Sequence, residues 1–127
     1  MSDKTQENLD NLIVEGLNVE KGELDLRERE LDDEDFKLIV KSDKLKGVTA
    51  LFLEYNEIGD QGLQAILDSE KFKHLTALNM FKNQVTDASV KEMAKSKTLL
   101  NLSELVMSDN VIGVEGARAL SESKTLS

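Results

Sequence analysis

Apolar residues of this chain recur at a constant spacing of 27 residues, and this repeat constrains the fold more than any other feature. The register is kept without an insertion from about residue 21 to residue 127. Asparagine and serine residues keep the same spacing. The columns are Leu24, Leu51, Leu78, Leu105; Leu26, Leu53, Met80, Met107; Asn56, Asn83, Asn110; Leu31, Ile58, Val85, Ile112; Phe36, Leu63, Val90, Ala117; Ile39, Ile66, Met93, Leu120; Ser42, Ser69, Ser96, Ser123; and Leu45, Phe72, Leu99, Leu126. So regular a pattern predicts a stack of equivalent structural units.

Each unit combines two shorter periods. Apolar residues alternate at spacing two in residues 48–53 and their copies, which is typical of a strand with one buried face. They recur at three and four in residues 60–67, which is typical of an amphipathic helix. Asp33, Asp60 and Asp87 precede these helices and are predicted as N-caps. Val114 stands in that column in the last unit, so its helix is expected to fray or to be capped through Gly113.

A strand, a helix and an equivalent strand form a parallel pair with a right-handed crossover. Repetition of that unit predicts an α/β solenoid with strands on the inner wall and helices on the outer wall. The asparagine column lies where the chain leaves each strand and backbone groups lose their partners. A buried amide can both donate to and accept from such groups, so a ladder of asparagines is expected there.

The pattern resembles the leucine-rich repeat family, and within it the ribonuclease-inhibitor-like branch, whose outer element is a full helix. The residues that carry the resemblance are Val48, Leu51, Leu53, Asn56, Ile58, Gly59, Asp60 and Gly62, then Leu75, Leu78, Met80, Asn83, Val85, Thr86 and Asp87, then Leu102, Leu105, Met107, Asn110, Ile112, Gly113 and Gly116. The resemblance implies a right-handed leucine-rich-repeat solenoid, a short horseshoe with parallel strands on the concave face and helices on the convex face.

The two ends depart from the pattern. Residues 1–20 are predicted to form an N-terminal cap with a helix over residues 5–15, ended by Gly16. Four repeats follow at about 21–47, 48–74, 75–101 and 102–127, the first of them atypical. Nothing after Leu126 is expected to cover the last layer. Either the chain is a truncated piece of a longer array, or another molecule covers the open edge, for example a second copy of the chain.

The strand residues that flank the buried columns point to the opposite side and form the candidate binding surface. Phe52, Tyr55 and Phe81 fall there, and aromatic anchors inside a polar rim are typical of protein-binding hot spots. The alternative is that Phe52 and Phe81 only cover each other as cross-strand neighbours. The predicted partner-binding residues are Phe52, Glu54, Tyr55, Asn79, Phe81, Lys82, Val106, Ser108 and Asp109.

Composition and net charge argue against several classes of partner and site. With 25 acidic and 16 basic residues the net charge is −9, which argues against nucleic acid and anionic membranes as partners. The chain has no cysteine, no membrane-length apolar run and no signal peptide, so a cytoplasmic address is expected. The acidic run at residues 32–35 lacks the alternation of a calcium loop and is assigned to helix capping. No metal or cofactor is therefore expected. His74 is interpreted as a surface loop residue.

These observations predict a noncatalytic protein-protein interaction module, since no nucleophile, base and orienting group converge on one surface. The alternative is a regulator of a partner enzyme, either inhibitor-like or GTPase-activating. The second version follows from the resemblance to the activating protein of the GTPase Ran. Arg27 is the one arginine predicted on the inner wall for that role.

Overall fold

A computed structural model describes residues 4–97 and 101–121 of the chain. Leu99, Ser123 and Leu126 lie outside this part, as does the expected bare end of the last repeat. The described part contains α1 (Gln6–Gly16), β1 (Leu17–Asn18), β2 (Glu23–Asp25), α2 (Asp33–Ile39), β3 (Ala50–Phe52), α3 (Asp60–Asp68), a 3-10 turn (Glu70–Phe72), β4 (Ala77–Asn79), α4 (Asp87–Lys95), β5 (Glu104–Val106) and α5 (Val114–Ser121).

The five strands form one sheet in chain order, and β2 to β5 are parallel. Leu24, Leu51, Leu78 and Leu105 are direct partners across it, so the 27-residue spacing sets the strand register without a slip. The prediction of an α/β fold with a parallel sheet and one helix per repeat is confirmed.

The repeated apolar columns form the core between the sheet and the helices. In the first three repeats the described members of these columns are almost completely buried, including Phe36, Leu63 and Val90. In the fourth repeat Leu105, Ile112 and Leu120 are only half-buried and Ala117 is exposed. The free energy gained from apolar burial is therefore concentrated in the first three layers.

The first layer is covered by α1, whose Leu9 and Ile13 are completely buried. Thr5 caps the helix and Gly16 is its last residue. A Cβ at Gly16 would overlap the carbonyl oxygen of Asp25, so glycine is needed there for close approach to β2. The antiparallel strand β1, which sequence analysis did not predict, pairs with the outer edge of β2.

Asparagine side chains connect the repeats beneath the strand ends, as predicted. The amide of Asn56 donates to the carbonyl oxygens of Leu26 and Leu53 at 2.9 Å and accepts from the backbone nitrogen of Leu31 at 3.0 Å. Asn83 and Asn110 repeat this arrangement one and two layers further on. Each side chain therefore satisfies backbone groups of its own repeat and of the preceding one.

The prediction that Asp33, Asp60 and Asp87 are N-caps was wrong. The N-caps of α2, α3 and α4 are Asp32, Gly59 and Thr86, and the aspartates are the first helical residues. Their carboxylates accept hydrogen bonds from the next repeat instead, and we call these contacts the aspartate clips. The clips join Asp33 to the backbone of Gly59 and Gly62, Asp60 to Thr86 and Ser89, and Asp87 to Gly113.

The start of α5 differs because Val114, which is 75% exposed, replaces the aspartate. The carbonyl oxygen of Gly113 accepts from the backbone nitrogen of Ala117 at 3.1 Å, which places Gly113 at the helix start. The fourth repeat thus receives an aspartate clip from Asp87 but carries no aspartate in the clip position itself.

Candidate functional site

The nine predicted binding residues lie on three adjacent strands and the turns that follow them. In the first row Asp25, Phe52, Asn79 and Val106 are direct partners across β2 to β5. Backbone hydrogen bonds continue the ladder past the strand ends, with Tyr55 donating to Phe81 at 3.0 Å and Lys82 to Ser108 at 3.2 Å. We call the sheet surface formed by these rows, on the side away from the helices, the strand face.

One column of the repeat has a left-handed backbone in every repeat, and Glu30 adds a second such position, with a φ angle of 55°, in the first repeat alone. The φ angles are 54° at Glu28, 60° at Tyr55, 56° at Lys82 and 57° at Asp109, which occupy one column of the repeat. This conformation costs a residue with a Cβ about 1–2 kcal/mol. The strain recurs in every repeat, so the turn geometry, rather than an individual side chain, imposes it.

Tyr55, Phe81 and Lys82 form a small cluster, which we call the aromatic cluster. The rings of Tyr55 and Phe81 meet edge to face with centroids 5.4 Å apart and an interplanar angle of 87°. The Lys82 ammonium lies 5.8 Å from the centre of the Tyr55 ring, within cation-π range. Tyr55 remains 51% exposed. A partner could therefore add contacts to rings that are already held in place.

Phe52 is separate from this cluster. In the described part of the chain no ring contact joins Phe52 to Phe81, and both side chains are half-buried. The ring contact of Phe81 is with Tyr55, and the alternative that Phe52 and Phe81 only cover each other stays a prediction. Phe52 lies between Asp25 and Asn79 in the first row.

Asp25 and Arg27, which the predicted set left out, form an ion pair at the β2 end of the strand face. The Nε and Nη2 atoms of Arg27 donate to the two carboxylate oxygens of Asp25 at 3.0 and 2.9 Å. These bonds lower the pKa of Asp25 against the opposing effect of burial, and they raise the pKa of Arg27. The row pattern contained the signal for both residues, since they occupy the same columns as Phe52 and Glu54.

Two residues of the acidic run at residues 32–35, Asp32 and Asp35, cap the start of α2. Asp32 accepts from the backbone nitrogen of Asp35 at 3.0 Å, and Asp35 accepts from that of Asp32 at 2.9 Å, which is a capping box. Within residues 4–97 and 101–121 no three acidic or histidine side chains are grouped as metal ligands. His74 is exposed on the turn before β4.

The comparisons with known proteins agree with this geometry. The family model described as "Leucine Rich repeat" matches residues 48–67, 73–94 and 98–121, together more than half of the chain. Parallel strands, outer helices and an asparagine ladder define a leucine-rich repeat protein, and this chain belongs to the leucine-rich repeat family. Domains of this family commonly mediate protein-protein interaction. No curated protein matches the sequence.

A solved structure of Chaetomium Mex67:Mtr2 subunits has a similar fold. Its TM-score is 0.65 at 15% sequence identity, and the match covers 93% of this chain and all of that one. At this identity the similarity shows the fold alone. Among the helices in the described part of the chain, none combines the length and the apolar character that a membrane span requires.

Proposed function

We propose that this protein is a noncatalytic interaction module that binds a protein partner through its strand face, the concave side of the solenoid. The aromatic cluster is the observation that carries the proposal. An exposed tyrosine, held by Phe81 and flanked by Lys82, has the composition of a hot spot on a surface that the helices leave open. Rigid rings lose little conformational entropy on binding.

Two finer assignments belong to this proposal. The full helix in each outer position supports the ribonuclease-inhibitor-like branch, and the usual hand of parallel crossovers supports a right-handed solenoid. We further propose that the chain is not an enzyme and acts in the cytoplasm. The exposed position of His74 supports the first of these, because a general base works where it can be held against a nucleophile.

The experiment compares two double variants of the chain as bait for proteins of its source cell. Tyr55→Ala with Phe81→Ala, which removes both rings of the aromatic cluster, should weaken capture of a partner by about 2 kcal/mol or more and leave helical circular dichroism unchanged. The matched control is Gln61→Ala with Glu92→Ala, two exposed helix positions, which should leave capture unchanged. Equal capture by both variants would show that the strand face is the wrong surface.

Self-association is a second candidate, favoured by the sheet edge at β5. Val106, Val111 and Val114 of the same repeat are 38%, 66% and 75% exposed, and in the described part of the chain no strand pairs with the outer side of β5. A second copy could cover them. Sedimentation at micromolar concentration should then show a dimer that Val111→Lys disrupts, and a monomer at all concentrations would exclude this candidate.

Regulation of a partner GTPase is less well supported. The Nε and Nη2 atoms of Arg27 donate to Asp25, so these donors would have to leave that carboxylate before they could contact a phosphate. Phosphate release by candidate GTPases in the presence of the chain tests that alternative directly.

A further inference from the structure

A cleft of about 450 Å³ opens on the strand face between the β1 hairpin and the first repeats. The residues that matter for its chemistry are Glu23, Asp25, Arg27, Phe52, Glu54 and Asn79. It is distinct from the aromatic cluster, which lies further toward β4 and β5. Its volume lies in the range of small-ligand sites, so it has room for a long side chain of a partner together with water.

The charge in the cleft is negative and only partly compensated. Arg27 is held by both oxygens of Asp25, so these two residues neutralise each other. Glu23 and Glu54 line the same cleft and make no ion pair within residues 4–97 and 101–121. The cleft therefore attracts a cationic group and repels an anionic one.

The Oε1 atom of Glu54 lacks a hydrogen-bond donor among the described residues. It is buried, and no hydrogen-bond donor reaches it in the described part of the chain. A buried acceptor without a donor has lost its hydrogen bonds to water, and no hydrogen bond within the protein replaces them. Because a carboxylate shares its charge between both oxygens, a cationic donor bound at Glu54 would recover part of that loss.

Phe52 decides between the two cationic side chains. Its half-buried ring lies between Asp25 and Asn79 in the first row and lines the same cleft as Glu54. A planar guanidinium can stack on an aromatic face while donating to a carboxylate at its edge, whereas an ammonium is a point charge that stays strongly hydrated. We propose that this cleft binds an arginine side chain of the protein partner. The inference rests on the proposed function and names the chemistry that the partner presents.

The experiment uses a blocked tripeptide, acetyl-glycyl-arginyl-glycinamide, and its citrulline counterpart, which has the same shape without the charge. Each is titrated into the full ¹⁵N-labelled chain and followed by amide chemical shifts. The arginine peptide should shift the amides of residues 52, 54 and 79, and the citrulline peptide should bind at least about tenfold more weakly.

Two variants with the same change in net charge locate the site. Glu54→Gln should weaken the arginine peptide about tenfold. Glu92→Gln, on the exposed side of α4, should leave it unchanged. Glu23→Gln serves as a second cleft variant if Glu54→Gln loses its native spectrum. Equal binding of the two peptides, equal effects of the Glu54 and Glu92 variants, or shifts confined to the helices would overturn the proposal.

The outcomes for the two proposals are separable. If the tripeptide fails to bind but the variants of Tyr55 and Phe81, which lie outside the cleft, still block partner capture, the strand face is the binding surface and the arginine site is wrong. If the tripeptide binds at Glu54 while those variants capture normally, the arginine site stands and the proposed function of the strand face is wrong.

Discussion

The carboxylate of Asp60 accepts a hydrogen bond from the hydroxyl of Ser89 at 2.5 Å, although the two residues are 29 positions apart and belong to different repeats. The same carboxylate also accepts from the backbone nitrogen of Thr86 at 2.8 Å and from its hydroxyl. Three donors of one repeat thus converge on one acid of the preceding repeat. This aspartate clip couples neighbouring layers at the helix start, directly after the residues that the asparagine ladder bonds.

Replacing Asp60 with asparagine should lower the free energy of unfolding by about 2 kcal/mol, because the amide turns an NH2 group toward donors. Urea denaturation followed by circular dichroism measures the change. Asp43→Asn, at an exposed position, makes the same chemical substitution and should change the stability by less than about 0.5 kcal/mol. Equal stability of the two variants would show that the clip contributes nothing.

The clip also marks the limit of what the sequence can predict. The 27-residue columns were sufficient for the strand register, the helices and the asparagine ladder, because these depend on periodicity. The role of Asp60 is not a matter of periodicity, since an aspartate before an apolar run fits an N-cap as well as a first helical residue. Only the placement of Gly59 at the cap decides between them.

For the candidate site, too, the sequence predicted one part and missed another. Alternation along the strands put Tyr55, Phe81 and Lys82 on one face, and the structure keeps them there. Tyr55, which makes the ring contact with Phe81, lies in a left-handed turn, where the alternation of an extended strand no longer decides which neighbours a side chain meets. A tyrosine carries no sequence signal for a positive φ angle, so this part was outside the reach of sequence analysis.

The aspartate clip should make stability depend on acid. Burial alone would raise the pKa of Asp60, but the hydrogen bonds from Ser89 and Thr86 outweigh it and hold the pKa below 3.8. The folded state therefore binds fewer protons than the unfolded state, and the stabilisation is present above the unfolded pKa and lost as pH falls through the folded one. Between pH 5 and pH 3, roughly the window around that ordinary value, stability should fall more steeply in the wild type than in Asp60→Asn. Parallel curves would contradict this assignment, since Asp25 titrates in both proteins.

Replacing Gly62 with alanine should lower stability, although the same change inside a helix usually raises it. Glycine to alanine inside a helix normally adds about 1 kcal/mol. Here a Cβ would lie 2.6 Å from the Cγ2 of Ile58 and 2.7 Å from the Oδ1 of Asp33, which forms the clip to this helix. Gly62→Ala should therefore destabilise the protein by about 1–3 kcal/mol. Gln61→Ala, the exposed neighbour in the same helix, should be neutral or slightly stabilising, and thermal unfolding of both variants provides the comparison. A higher melting temperature for Gly62→Ala would mean that the repeats are not in close contact here.

The left-handed column predicts that glycine at one exposed position, Glu28, should stabilise the protein. Glu28 has a φ angle of 54°, which costs a residue with a Cβ about 1–2 kcal/mol, and glycine adopts this angle freely. Glycine also has more freedom to lose on folding, which offsets part of the gain, so Glu28→Gly should raise the free energy of unfolding by about 0.5–1 kcal/mol. Glu57→Gly removes the same exposed side chain where φ is not positive and should lower it by about the same amount. Urea denaturation of the two variants under identical conditions compares them directly. Opposite signs would show that the strain belongs to the turn, whereas a loss of stability in both would show that the Glu28 backbone relaxes without cost.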